Sequence, residues 1–102
     1  MTQLTSVDNN NNSIPTDYSL EQNYPNPFNP ATIIKYSIPK AGSVMIKVYD
    51  DLGKEVATLL NEYKSAGSYE VKFAAKKFSS GVYFYRLTAG DFVQTKRMII
   101  LK

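Results

Sequence analysis

The fold is indicated most clearly by residues 81–88, which read Gly81-Val82-Tyr83-Phe84-Tyr85-Arg86-Leu87-Thr88. Successive side chains of a strand point to opposite faces, so Tyr83, Tyr85 and Leu87 share one face. The turn formers Ala89-Gly90-Asp91 follow, and they favour a tight hairpin into a further run at 92–101. The stretch therefore predicts two antiparallel strands with one face turned to a core.

Alternating runs of the same kind recur upstream at a spacing of about ten residues. Their core faces are predicted to be Ile34, Tyr36 and Ile38; Val44, Ile46 and Val48; and Tyr69, Val71 and Phe73. Between them, residues 50–54 are predicted to form a turn, with Gly53 at the position that tolerates positive φ.

Residues 55–62 fit either a strand or a single helical turn, because Val56, Leu59 and Leu60 also match a 3.6-residue period. Eight Tyr and five Phe favour the half-buried surfaces of sheets. We therefore predict an all-β fold, a small antiparallel β-sandwich of six or seven strands.

Residues 1–17 differ in composition from the rest of the 102-residue chain. They contain two Asp and a run of four Asn, but no Lys or Arg. Such a segment buries too little apolar surface to offset the entropy of ordering it. We predict a flexible Asn-rich linker over 1–17, with Met1 compatible with an added start, and a folded domain over 18–102. The start lacks the features of a signal peptide, so an export signal is expected elsewhere in a longer parent.

The composition excludes several classes of function. Without His or Cys there is no Ser-His-Asp triad, thiol nucleophile, disulfide or Cys–His zinc site. The net charge of +3 comes from 12 basic and 9 acidic residues that are scattered, not clustered for nucleic acid. No apolar run is long enough to span a membrane. We expect a non-enzyme with no catalytic residue, cofactor, metal, nucleic-acid partner or membrane insertion.

Two polar clusters come nearest to a catalytic or metal site. Asp50 and Asp51 lack the spaced oxygen ligands of a calcium loop and a catalytic partner at defined separation, so a solvated turn is favoured. Ser79 and Ser80 have no His to activate them, and a Ser–Lys pair would need a neighbouring Lys to be deeply buried.

Two features near the end of the sequence refine the sandwich. Gly81-Val82-Tyr83, preceded by Phe78-Ser79-Ser80, is typical of a tyrosine corner, in which a Tyr hydroxyl group bonds to backbone just upstream; the alternative is a plain core Tyr. The run Met98-Ile99-Ile100-Leu101 is apolar on both faces. It is expected either to lie between the core and another surface or to form an adhesive edge.

The stretch Asn23-Tyr24-Pro25-Asn26-Pro27-Phe28-Asn29-Pro30 packs three Pro and three Asn into eight positions, and we call it the Pro–Asn segment. Each Pro excludes the preceding residue from the helical region, so the backbone must be extended. Tyr24 and Phe28 are expected to pin the segment to the sandwich. It is either a rigid lead-in alone or part of a docking surface.

Exposed aromatic side chains offer a further interpretation. Tyr49, Tyr63, Tyr85 and Phe84 would suit a stacking platform for sugar rings, although Trp, the preferred platform, is absent. The alternative is that they form cross-strand aromatic pairs that stabilise the sheet, and this alternative is favoured.

Four blocks of the sequence resemble, in order, the type A C-terminal sorting domain of the type IX secretion system (Por secretion system). The blocks are Tyr24-Pro25-Asn26-Pro27-Phe28-Asn29-Pro30-Ala31-Thr32-Ile33-Ile34-Lys35-Tyr36, Val48-Tyr49-Asp50-Asp51-Leu52-Gly53-Lys54-Glu55-Val56, Ser80-Gly81-Val82-Tyr83-Phe84-Tyr85-Arg86-Leu87 and Thr95-Lys96-Arg97-Met98-Ile99-Ile100-Leu101-Lys102. The resemblance covers residues 18–102. A looser similarity is to the immunoglobulin-like domain of flagellar hook-capping proteins.

The resemblance implies an immunoglobulin-like antiparallel β-sandwich of about seven strands at the end of a secreted cargo protein. Its implied partners are the type IX translocon, its shuttle protein, a sortase-like transpeptidase and an N-terminal cargo domain in the same parent chain. The cargo would pass through the periplasm to the outer-membrane surface or the medium, with a cut expected within residues 1–22. The implied recognition residues are Pro25, Asn26, Pro27, Gly81, Tyr83, Lys96 and Lys102, the two Lys being expected at the surface.

Two alternatives to a sorting domain stay open. One is an accessory structural or carbohydrate-binding module of a larger secreted enzyme. The other is a spacer that self-associates weakly through its last strand.

Overall fold

The computed structural model describes residues 14–102, and within that range the chain forms seven β-strands and no helix. The strands are β1 (Ser19–Leu20), β2 (Ala31–Ile38), β3 (Gly42–Tyr49), β4 (Glu55–Lys64), β5 (Gly67–Ala74), β6 (Gly81–Ala89) and β7 (Phe92–Ile100). The prediction of an all-β fold with about seven strands is confirmed. Most of the predicted linker, residues 1–13, lies outside the described range.

The strands form two antiparallel sheets that pack face to face. One sheet has three strands in the order β1-β2-β5, and the other has four in the order β4-β3-β6-β7. The connection β1–β2 stays within the three-stranded sheet and the hairpins β3–β4 and β6–β7 within the four-stranded sheet, whereas β2–β3, β4–β5 and β5–β6 cross between sheets. The arrangement is immunoglobulin-like. It differs from the constant-type immunoglobulin domain in that β4 pairs with β3 and does not belong to the sheet of β1, β2 and β5.

The core lies between the inner faces of the two sheets, where the predicted alternation places it. Alternate residues of β2, β3 and β6 are buried, while the residues between them are half-buried or exposed. The largest fully buried side chains are Tyr36, Tyr85, Ile34, Ile38, Ile46, Leu87, Met98, Ile100, Val44, Val48 and Thr32. Each buried aliphatic or aromatic side chain contributes about 1.5–3 kcal/mol to folding.

Residues 55–64 form a strand, which settles the ambiguity between strand and helical turn. Ile46 is opposite Leu60 and Lys47 is opposite Thr58, so Leu59 is an extra residue on β4. A second register shift in the same strand leaves Val56 as an extra residue. The two bulges break the period-2 alternation, and this is why the apolar positions of β4 resemble a helical pattern.

The predicted turn at residues 50–54 is present, and Asp50 organises it. The Asp50 carboxylate accepts hydrogen bonds from the backbone N–H groups of Leu52 and Lys54, each at 2.9 Å. Gly53 has a φ of 87°, a left-handed conformation that other residues adopt only at a cost. Asp50 therefore acts as a turn former, as in the solvated-turn interpretation.

The hairpin between β6 and β7 also follows the prediction. Ala89 pairs with Phe92, so Gly90 and Asp91 form a two-residue loop, with Gly90 at a φ of 59°. None of the described residues forms a helix long and apolar enough to cross a membrane.

Candidate functional site

The Pro–Asn segment passes from one sheet to the other. Tyr24 first pairs antiparallel with Ile33 on β2, through two backbone hydrogen bonds of 3.0 Å. Phe28 then pairs parallel with Ile100 on β7. All three X–Pro bonds of the segment are cis. The segment therefore connects the three-stranded sheet to the last strand of the four-stranded sheet.

The same segment covers the free edge of β7 near its end. The backbone N–H of Phe28 donates to the carbonyl of Ile99 at 3.1 Å, and the N–H of Leu101 donates to the carbonyl of Phe28 at 3.0 Å. The side chain of Asn26 accepts from the N–H of Ile99 at 2.9 Å. Gln22 completes the set by donating to the carbonyl of Arg97 at 2.6 Å.

These bonds decide between the two expectations for the last run. Met98 and Ile100 are fully buried, and the edge beside them is hydrogen-bonded to the Pro–Asn segment. The edge of the run is therefore covered by this segment, while Ile99, on the outer side of the strand, stays partly exposed. The adhesive edge expected by the self-association alternative is occupied from Arg97 to Leu101.

A buried polar network fixes the start of the Pro–Asn segment. The Tyr85 hydroxyl group donates to the carbonyl of Glu21 at 2.6 Å and accepts from the N–H of Asn23 at 2.7 Å. The Asn23 side chain, itself buried, donates to the Thr32 hydroxyl at 3.0 Å and to the carbonyl of Pro25 at 3.1 Å. Thr32 also donates to that carbonyl, at 2.8 Å. Burial raises the pKa of Tyr85 to about 12, so this phenol stays protonated at neutral pH.

The side chains of the segment divide into an inner and an outer set. Phe28 is 2% exposed and packs edge-on against Phe73, with ring centroids 5.9 Å apart. Pro25, Asn26 and Pro27 are exposed, as are Tyr24, Asn29 and Pro30. The expected pinning role is confirmed for Phe28, whereas the Tyr24 side chain is 80% exposed and pins nothing.

The tyrosine corner is present. The Tyr83 hydroxyl group donates to the carbonyl of Ser79 at 3.0 Å, which fixes the turn that leads into Gly81 and β6. A second corner of the same spacing was not predicted: Tyr69 donates to the carbonyl of Ser65 at 2.7 Å. Both have the sequence Ser-x-Gly-x-Tyr, so the second could have been found by comparing the two turns.

Lys102 is held at the same end of the sandwich. Its backbone N–H donates to the Ser80 hydroxyl at 2.8 Å, and its ammonium group donates to the carbonyl of Lys76 at 2.8 Å. Gly81 is the β-partner of Ile100, directly beside this contact. The side chain of Ser80 is thus engaged with backbone, which does not favour a nucleophile.

Lys96 lies elsewhere. It has the same parity on β7 as the buried residues Met98 and Ile100, it is opposite Tyr85, and it is half-buried. The expectation that Lys96 is a plain surface residue is therefore wrong. The alternating pattern of β7 turns it towards the inside of the sandwich.

The recognition candidates thus form a group around residues 98–102. Asn26 bonds to Ile99, Gly81 and Tyr83 are β-partners of Ile100 and Met98, and Lys102 bonds to the turn before Gly81. Pro25 and Pro27 flank Asn26. Lys96 alone stands apart. The sequence does not predict the hydrogen bonds that hold this group together, which are those of Gln22, Asn23, Thr32 and Tyr85, because no fixed spacing connects the partners.

The four aromatic side chains do not form the exposed platform that stacking of sugar rings would require. Tyr85 is fully buried, so its assignment to an exposed platform is wrong. Tyr49 and Phe84 are cross-strand partners on the outer face, as the favoured alternative expects. The Arg86 guanidinium lies 4.8 Å from the Tyr49 ring centroid, on the face a sugar would need. Within residues 14–102, no three His, Cys, Asp or Glu side chains are grouped to hold a metal ion.

A family model described as a secretion system C-terminal sorting domain matches residues 22–101. The chain belongs to this family. The match begins at Gln22, whose side chain caps β7, and runs through the Pro–Asn segment to Leu101. Six of the seven recognition candidates lie inside it, and Lys102 lies just beyond. No curated protein and no solved structure matches the chain.

Membership of the sorting-domain family carries a functional statement. The family is that of the type IX secretion C-terminal sorting signal, so the chain carries a signal for export of the protein to which it belongs.

Proposed function

We propose that this domain is a non-catalytic sorting signal that the type IX shuttle protein and outer-membrane translocon recognise in the periplasm. The observation that carries the proposal is the joining of the Pro–Asn segment to the end of β7 by the Asn26–Ile99 and Phe28 hydrogen bonds. Two blocks of the family's sequence, more than 70 positions apart, form one continuous surface. A partner that reads this surface reads only the folded domain.

The recognition candidates divide into contact and positioning residues. Pro25, Asn26, Pro27, Gly81 and Lys102 are exposed, and they are proposed to touch the partner. Tyr83 is 7% exposed and holds the turn at Ser79, so it positions Gly81. Lys96 supports the inner side of β7 from its half-buried position.

After passage, a sortase-like transpeptidase is proposed to cut within residues 1–22 and join the cargo to the cell surface. The first core residue in the described range is Leu20, and Ile14 is 65% exposed. A cut before Tyr18 leaves every described strand intact. The cargo domain precedes this cut in the parent chain, and delivery ends at the outer-membrane surface or in the medium.

The test is a reporter exported to the periplasm and fused to residues 1–102, in a type IX-competent host that also delivers its own cargo. We expect translocon-dependent delivery to the surface or the medium. A combined Pro25→Ala and Pro27→Ala variant and Lys102→Ala should each reduce it. Lys72→Ala, an exposed residue of β5, is the matched control.

Circular dichroism of each purified variant separates lost recognition from lost folding. A folded wild-type fusion that stays in the periplasm, while the host's own cargo is delivered in the same cells, would overturn the proposal. Retention of such a fusion on insoluble glycans would then support the carbohydrate-binding alternative.

A further inference from the structure

The outer faces of the two sheets differ in chemistry. On the three-stranded sheet, Lys35 is opposite Glu70, and the hydroxyl groups of Ser37 and Ser68 are 3.0 Å apart. Lys72 follows on the same side. The charged residues of this face are close to balance, and Ile33 and its bridge partner Tyr24 are the apolar residues beside them.

The outer face of the four-stranded sheet is apolar and cationic. We call it the cationic–aromatic face and define it by Tyr49, Val82, Phe84, Arg86, Arg97 and Ile99. Each of these residues alternates with a buried neighbour on its own strand, so they share one side of the sheet. The register places Tyr49, Phe84 and Arg97 in one row across three strands.

Arg86 is held at the middle of this face. Its Nε donates to the Thr95 hydroxyl at 3.1 Å, and its guanidinium lies 4.8 Å from the Tyr49 ring centroid. The terminal nitrogens make no hydrogen bond to any described residue. A guanidinium fixed in this way loses little side-chain entropy when it forms a two-point contact with a carboxylate.

The positive charge of the face is not neutralised locally. Lys47, in the row of Arg86, pairs with Glu55 at 3.1 Å, and its hydrogen bond lowers the pKa of that carboxyl. Arg86 and Arg97 form no ion pair within residues 14–102. Within this range, Arg86 and Arg97 are therefore two unpaired positive charges among aromatic and aliphatic side chains. Arg and aromatic residues are the types that contribute most of the binding energy in protein–protein interfaces.

We propose that the cationic–aromatic face docks a protein of the secretion machinery through a carboxylate that pairs with Arg86. Apolar side chains of that protein would pack on Phe84 and Val82. The inference rests on the proposed sorting function, because a sorting signal must meet such a protein. The face is continuous with the proposed recognition surface, since Ile99 and Arg97 bond through their backbone to Asn26 and Gln22.

Two other occupants fit the face less well. A sugar ring would have to displace Arg86 from Tyr49. A second copy of this chain, placed face to face, would bring Arg86 and Arg97 against the same positive charges. A protein surface that carries both a carboxylate and apolar side chains complements the charge of Arg86 and the apolar residues around it.

The first experiment compares charge reversals on the two sheets in the reporter fusion of residues 1–102. Arg86→Glu should lower delivery by roughly tenfold or more, the effect of losing a dominant interface residue. Arg86→Lys should give an intermediate loss, because it keeps the charge but not the two-point geometry. Lys72→Glu, on the outer face of β5, should change delivery by no more than about twofold.

The second experiment places a photo-cross-linking amino acid at Thr88, which lies beside Met45 and Val93 on the same side of the sheet, or at Ser68 on the other sheet. We expect a protein adduct from position 88 only, mapped to an acidic segment. Replacing the carboxylate of that segment with Arg should restore delivery of Arg86→Glu.

The outcomes separate this inference from the sorting function. Failure of the folded wild-type fusion to be delivered counts against both. A delivered wild type with undiminished Arg86→Glu delivery overturns the docking face alone. A membrane-binding role would also overturn the docking face. In that case the purified domain binds anionic phospholipid vesicles, Arg86→Glu abolishes this binding, and position 88 gives no protein adduct.

Discussion

The Tyr85 hydroxyl group, on the inner side of the four-stranded sheet, accepts a hydrogen bond from the backbone N–H of Asn23 at 2.7 Å. It also donates to the carbonyl of Glu21, 64 positions away in sequence. The Pro–Asn segment begins at this point. The position of an exposed motif is therefore set by a fully buried side chain, which links recognition to the integrity of the core.

Tyr85→Phe tests this link because it removes the hydroxyl group and keeps the ring. The variant leaves the Asn23 N–H and the Glu21 carbonyl without their partner, so we expect the free energy of unfolding to fall by about 1–3 kcal/mol. Urea denaturation at pH 7 measures it. Tyr36→Phe is the matched control, because the Tyr36 hydroxyl is also buried but makes no side-chain hydrogen bond to a described residue. Equal losses in the two variants would contradict the prediction.

Asn26 and Asn29 provide a second matched pair within the Pro–Asn segment. The Asn26 side chain caps the Ile99 N–H, whereas the exposed Asn29 side chain makes no hydrogen bond within residues 14–102. Asn26→Ala should lower the free energy of unfolding by about 0.5–1.5 kcal/mol and speed hydrogen exchange at the Ile99 amide. Asn29→Ala should stay within about 0.5 kcal/mol of the wild type. Unchanged exchange at Ile99 in Asn26→Ala would count against the cap.

Much of the fold follows from local sequence because the inner and outer faces of the strands differ strongly. Val44, Ile46 and Val48 alternate with Met45, Lys47 and Tyr49, and the structure buries the first set. The exception is β4, where bulges at Val56 and Leu59 shift the alternation and imitate a helical period. Bulges depend on pairing with the neighbouring strand, so no local pattern predicts them.

The sequence predicts the candidate site less completely, because the contacts that form it join residues far apart in the chain. The Pro–Asn segment and the Tyr83 corner have local signatures, and both were found. The partners of Asn23 are Tyr85 and Thr32, which no fixed spacing connects. Tyr85 was expected both in the core, by alternation, and on an exposed platform, by composition, and only the first is correct.

The stability of the domain should fall between pH 10 and pH 12. Burial raises the pKa of Tyr36 and of Tyr85 to about 12, from about 10 in an unfolded chain. In this window the unfolded chain releases protons that the folded chain retains, so the free energy of unfolding decreases as the pH rises. Each group contributes up to about 1.4 kcal/mol per pH unit.

Tyr36→Phe isolates one of these contributions. Urea denaturation at several pH values from 9 to 11.5 should show a shallower decrease for this variant than for the wild type, with the two closest in slope below pH 10. All other titratable groups are common to both proteins, so the difference between the two slopes reports Tyr36. Identical slopes throughout would show that Tyr36 does not titrate abnormally.

The two tyrosine corners should contribute similar free energies, because the same bond closes each. Tyr83 donates to Ser79 at 3.0 Å and Tyr69 donates to Ser65 at 2.7 Å. Tyr83→Phe and Tyr69→Phe should each cost about 0.5–1.5 kcal/mol in thermal or urea unfolding. Only Tyr83→Phe should also reduce reporter delivery, because its turn leads into Gly81. A loss of delivery in both variants would point to stability as the cause.

Ile100 and Leu101 separate the structural role of the last strand from its role in recognition. Ile100 is fully buried, so Ile100→Ala should cost about 2–5 kcal/mol by leaving a cavity. Leu101 is 58% exposed and keeps its backbone bond to Phe28 after truncation, so Leu101→Ala should cost less than about 1 kcal/mol. Both variants are measured by urea denaturation and in the delivery assay. If the translocon reads the surface at the end of β7, Leu101→Ala reduces delivery at nearly full stability. Delivery that follows stability alone in both variants would mean that the last strand serves only to hold the sandwich together.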